Sequence, residues 1–108
     1  MVLNIAQLRN VTENDNLLMH EVVALLVSDT SEQLAMLRRA IERGDMKKCV
    51  KLAHGAKGAC ATVGAASMAE MFRSLELEAN DGDLRLCRSS MDRLLLELEK
   101  LRSEAASF

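Results

Sequence analysis

Residues 44–64 read GDMKKCVKLAHGAKGACATVG, a stretch that carries its own start and stop signals. Gly44 suits the left-handed position after a helix, and Asp45 suits the N-cap of the next one. Gly64 interrupts the run at its far end. Between them the apolar and small residues recur at helical spacing, which predicts a helix from about Met46 to Thr62.

The same pattern continues in both directions. Downstream, Met68, Met71, Phe72, Leu75 and Ala79 form a stripe that predicts a helix from about Ala65 to Ala79. Asn80-Asp81-Gly82-Asp83 is a turn cluster, and a last long helix carries Leu84, Cys87, Met91, Leu94, Leu95, Leu98 and Leu101 before fraying. Upstream, Thr12-Glu13-Asn14-Asp15 resembles a helix start, followed by Leu17, Leu18, Val22, Leu25 and Leu26. Thr30-Ser31-Glu32-Gln33 matches a capping box and predicts a fresh helix start, with Leu34, Leu37 and Ile41 as its stripe. Val2 to Leu8 adds a short lead-in helix.

Composition points the same way. The 108 residues include no Pro, Trp or Tyr and only two Phe, while Leu, Ala, Glu, Met, Arg and Lys dominate. Strands and tight turns draw on the residues that are scarce here; helices draw on those that are abundant. Amphipathic helices with short connections pack most economically as an antiparallel four-helix bundle, here with an additional short N-terminal helix. The whole chain, residues 1–108, is expected to be a single domain.

The net charge of −2 leaves no basic footprint for nucleic acid. No apolar run approaches the roughly 20 residues of a membrane-spanning helix, and the first ten residues lack the order of a secretory signal. The three cysteines, Cys49, Cys60 and Cys87, show no metal-ligand spacing. They are expected to be free core thiols in a reducing cytoplasm. No metal site and no haem or di-metal centre is expected, because inward His or Glu-x-x-His pairs are missing.

At about 100° per residue, Leu52, Ala56, Ala59 and Val63 fall opposite His54, with Cys49 and Cys60 beside them. His54 therefore projects from the core among Lys47, Val50, Lys51, Lys57, Gly58 and Ala61. Gly58 costs a helix interior about 1 kcal/mol relative to Ala, and a side chain there would crowd one flank of the imidazole. Clustered cations disfavour charging of a nearby imidazole, so they favour a neutral, nucleophilic ring; they also attract a phosphoryl group. Wheel geometry leaves a second reading open, a solvated basic face on which Gly58 is incidental, and on its own it favours that one. His20 has neither the cation nor the clearance and is expected to be a surface histidine.

The segment Ala53-His54-Gly55-Ala56-Lys57-Gly58, continuing to Val63-Gly64-Ala65, resembles the signature of histidine-containing phosphotransfer (HPt) domains. That pattern has an Ala-His, a Lys three residues on, a Gly directly after it, and a later Gly-Ala. Leu75-Glu76 matches a Leu-Glu pair in the following helix, and Ala40-Ile41 with Gly44-Asp45 matches the upstream approach. The resemblance spans about residues 14 to 101. It implies a phosphorelay protein whose histidine takes a phosphoryl group from a receiver-domain phospho-aspartate and passes it to another receiver. Carried over, His54 is the phospho-acceptor, Lys57 steadies the phosphoryl group, Gly58 gives clearance, and Gly64 allows a tight helix junction. Lys47, Val50, Lys51 and Ala61 are expected to bind the partner.

The chain is expected to need no cofactor of its own, with Mg²⁺ and most catalytic groups supplied by the receiver. The expected partners are response-regulator receiver domains, a hybrid histidine kinase, or both, met by a monomer. Ala56 stands where the family commonly has a bulky apolar residue, Gly55 is unusual, and Ala59-Cys60 replaces a polar pair. These departures bear on helix rigidity and partner choice more than on the acceptor. Absence of a Gly-rich phosphate loop argues against self-sufficient ATP chemistry. Two alternatives stand beside the carrier: a phospho-accepting domain of a chemotaxis-type histidine kinase, and a non-catalytic helical docking module. The start Met and the fraying end at Phe108 favour an independent protein.

Overall fold

A computed structural model describes residues 1–108 as five helices: α1 (Ile5–Val11), α2 (Asn16–Glu42), α3 (Met46–Thr62), α4 (Ala66–Asn80) and α5 (Leu84–Ala106). Local signals set most of the ends. Asp15, Asp45 and Asp83 each accept a hydrogen bond from the backbone N–H three residues on, satisfying a free donor at the start of α2, α3 and α5. Gly44 ends α2 at a φ of +68°, the left-handed conformation that glycine adopts without strain.

Three-residue connections join α2 to α3, α3 to α4 and α4 to α5, which makes sequential helices antiparallel neighbours. Each of these four packs on two others, in the ring α2–α3–α4–α5. Their inner faces enclose a core of 25 buried hydrophobic residues. The N-terminal segment straps one end of the bundle. Asn4 donates its N–H to the Gly64 carbonyl at 2.8 Å, and the Gln7 side-chain amide donates to the Ala61 carbonyl at 2.9 Å. The Glu104 carboxylate of α5 accepts from the backbone N–H groups of Val2 and Leu3 at 2.7 and 3.0 Å.

The helix start expected at Thr30 is absent: α2 runs unbroken for 27 residues. Met19, Val23, Leu26, Thr30, Leu34 and Leu37 are all buried in one continuous register. An N-cap at Thr30 would require non-helical dihedrals there and would throw half of that stripe out of the core. Leu17, Leu18 and Leu25, expected in the stripe, are exposed instead. The lead-in helix begins at Ile5, capped by Asn4, and runs to Val11; Val2 and Leu3 are buried without being helical. α5 does not fray after Leu101 but continues to Ala106, where Glu104 is tied to the N-terminal strap.

Candidate functional site

His54 lies midway along α3, on a helix held by α2 on one side and, more extensively, by α4 on the other. The residues that α3 buries are Cys49, Ala53, Ala56 and Cys60. Their mean direction is about 130° from His54, so the core pole is displaced toward α4 from the expected one. Ala59 is exposed, and Leu52 and Val63 are only half-buried. The apolar arc of α3 is wider than the core requires, and the surplus faces α2.

The His54 side chain is 68% exposed, and its Nδ1 lies 3.2 Å from Oε2 of Glu76 on α4, whose side chain is 22% exposed. Oε1 of the same carboxylate accepts a hydrogen bond from Nζ of Lys57 at 3.1 Å. Burial alone would raise the Glu76 carboxyl. Hydrogen bonds from Lys57 and His54, together with their charges, outweigh it and hold the carboxyl below its ordinary value. A carboxylate facing Nδ1 selects the tautomer with the proton there, since an anion can only accept. The lone pair then sits on Nε2, which makes no bond within the chain.

This changes the electrostatic expectation. The charge nearest the ring is an anion, and Lys57 is half-buried and engaged by Glu76. Lys47 and Lys51 are exposed, as is Ala61, while Val50 is half-buried against the core. Ala61 also accepts the Gln7 hydrogen bond through its carbonyl. A Cβ at Gly58 would meet nothing within 4 Å. It would therefore leave the resting imidazole uncrowded, contrary to expectation, and the open space belongs to whatever approaches the ring. Gly64 is constrained as expected: its φ is +88°, and a Cβ would come within 3.1 Å of the Asn4 carbonyl.

Spacing along α3 gives no hint of Glu76, for which the Leu75-Glu76 pair is the visible signal in the sequence. A second unassigned feature is a groove of about 290 Å³ between α2 and α3, lined by Val22, Leu25, Asp29, Glu32, Gly55 and Ala59 among others. His20 is exposed and stacks edge-on against Phe108 at 5.1 Å. The three cysteines are free and buried. No group of three or more His, Cys, Asp or Glu side chains is arranged to hold a metal, and no helix is long and apolar enough to cross a membrane.

The fold and the exposed histidine together define a histidine phosphotransfer module, and the chain belongs to the Hpt domain family, whose model matches residues 21–104. That membership makes it a histidine-phosphotransfer protein of phosphorelay signalling, a class that works with receiver domains and kinases. Among solved structures it is similar to histidine-containing phosphotransfer protein B (HptB) from Pseudomonas aeruginosa PAO1. The TM-score is 0.90 at 24% sequence identity, covering 98% of this chain and 92% of that one. This likeness extends over the whole helical architecture. No curated protein matches the sequence significantly.

Proposed function

We propose that His54 is the phospho-acceptor and that its Nε2 takes the phosphoryl group from the phospho-aspartate of a receiver domain. The observation that carries this reading is the Glu76 carboxylate 3.2 Å from Nδ1 of a side chain that is 68% exposed; in the neutral ring that carboxylate favours the proton on Nδ1 and the lone pair on Nε2. In the transfer the Nε2–P bond forms as the P–O bond to the receiver's aspartate breaks, and the aspartate leaves as a carboxylate. Nδ1 keeps its proton throughout. Positive charge develops on the ring as Nε2 bonds to phosphorus, and Glu76 lies where it opposes that charge. The steps reverse when the next receiver collects the group.

Lys57, held beside the ring by Glu76, is the cation that faces the incoming phosphoryl oxygens. Gly58 leaves the approach open. Exposed Lys47 and Lys51, with Ala61 and half-buried Val50, border the acceptor and contribute to receiver contact. The chain supplies no ATP-binding loop, so Mg²⁺ and the remaining catalytic groups belong to the receiver. It works in the cytoplasm as a monomer, and residues 1–108 form one domain.

The direct test is incubation with a phosphorylated receiver domain. Label should appear in an acid-labile, base-stable form and vanish in His54→Gln. Normal labelling of His54→Gln would overturn the assignment.

A further inference from the structure

Resting on that reading, we propose that the α2–α3 groove is the specificity element of the site: it accepts a bulky apolar side chain of the receiver flanked by basic groups. The groove starts at Gly55, next to the acceptor, and runs along α3 past Ala59. On its α3 side Gly55, Ala56 and Ala59 carry no atom beyond Cβ, so the floor is low. On its α2 side Val22 and Leu25 form an apolar wall, with Leu25 60% exposed. At about 290 Å³ the space lies at the bottom of the range of small-molecule pockets, and it fits the side-chain scale of a protein interface better.

Charge defines the occupant further. The ionised groups lining the groove are Asp29 and Glu32. Neither belongs to any ion pair of this chain. From Asn16 to Gln33, α2 carries no Lys or Arg. By contrast Lys47, Lys48 and Lys51 stand on the α3 turns before His54, exposed and equally unpaired. The surface around the acceptor is thus bipolar, with an apolar cleft bounded by anions after His54 and a cationic stretch before it. An apolar centre with a polar rim is the usual anatomy of a protein interface, and charges on such a rim set orientation and partner choice more than bulk affinity. A receiver with basic groups around its apolar anchor seats in one orientation; one with acidic groups there is repelled.

The experiment first screens phosphorylated receiver domains against the native protein, then uses one that labels it to compare Ala59→Leu and the double variant Asp29→Lys, Glu32→Lys. Ala59 is exposed, and Leu is nearly as good a helix former. Transfer rate is measured against phospho-receiver concentration; labelling by phosphoramidate, which modifies imidazoles without a protein partner, reports His54 once the other exposed imidazole is removed by His20→Gln in every protein compared. Each variant should raise the half-saturating receiver concentration about tenfold or more, with phosphoramidate labelling unchanged. Native-like transfer by either variant overturns the proposal. So does a matching loss of phosphoramidate labelling, which would place the defect at the imidazole. If phosphoramidate labels the native protein but no receiver does, the phosphotransfer reading itself fails and the groove assignment with it.

Discussion

The carboxylate of Glu76 on α4 stands 3.2 Å from Nδ1 of His54 on α3, so the tautomer of the exposed imidazole is set by a residue 22 positions away in sequence. The contact makes α4 part of the site. It also ties Lys57 to the same point, because the second carboxylate oxygen holds its ammonium at 3.1 Å.

Glu76→Gln separates hydrogen bonding from charge. The amide oxygen can still accept from Nδ1, so the ring stays oriented while the anion is lost. A charged hydrogen bond exceeds a neutral one by about 1–1.5 kcal/mol, which corresponds to a transfer rate lowered about five- to tenfold. Quench-flow measurement of phosphoryl uptake from a receiver reads this directly. Uptake at the native rate would remove Glu76 from the mechanism.

The same residue makes a pH prediction. The Glu76 carboxyl is held below its ordinary value in the folded protein. Its stabilising contribution is therefore fully present above the unfolded-state value and is lost as pH falls through the folded one. The side chains of Lys57 and Glu76 are partly exposed, so the contribution is about 1 kcal/mol or less. The Tm of the native protein should exceed that of Glu76→Gln by a few degrees at neutral pH, and the gap should close in acid. Lys57→Ala should slow transfer and leave helicity nearly unchanged; loss of fold would make Lys57 a structural residue.

Much of this was legible in the sequence, and the failures share a cause. Asp45 and Asp83 cap their helices where the turn signals fall, because a cap is a local interaction, whereas the helix start expected from Thr12 lies later: Thr12 ends α1, and Asp15 caps α2 at Asn16. Thr30 misled because the same local chemistry was overruled by packing: the capping-box pattern sits inside a core stripe that only a continuous α2 satisfies. Periodicity assigns the apolar residues Leu25 and Ala59 to the core, yet both line the open groove. Periodicity registers apolar character without distinguishing a core from an unfilled cleft. His54 was placed outward correctly, but its partner Glu76 lies on another helix, where spacing rules of a single helix have no reach.

The cysteines give a prediction about reactivity. Burial pushes the Cys60 and Cys87 thiols up to about 11 and raises Cys49 as well. Alkylation proceeds through the thiolate. At neutral pH the folded protein should consume almost no iodoacetamide, whereas in denaturant all three cysteines should react. Rapid modification of the folded chain would mean that the bundle opens far more often than its packing implies.

Gly58 and Gly64 should respond oppositely to alanine. A Cβ at Gly58 meets nothing within 4 Å, and Gly58 lies inside α3 with a negative φ. Gly58→Ala should therefore stabilise by about 0.5–1 kcal/mol, raising Tm by about 3–6 °C. If the open flank exists for the receiver and the phosphoryl group, that more stable variant should transfer more slowly than native. At Gly64 the φ of +88° and the Asn4 carbonyl 3.1 Å from a Cβ both oppose substitution. Gly64→Ala should cost about 1–3 kcal/mol and loosen the N-terminal strap, which amide hydrogen exchange at Asn4 would register. Thermal melts and transfer rates of the two variants, measured side by side, distinguish a glycine kept for an incoming partner from one kept for the fold. A Gly58→Ala protein that is both more stable and fully active would leave that glycine with neither role.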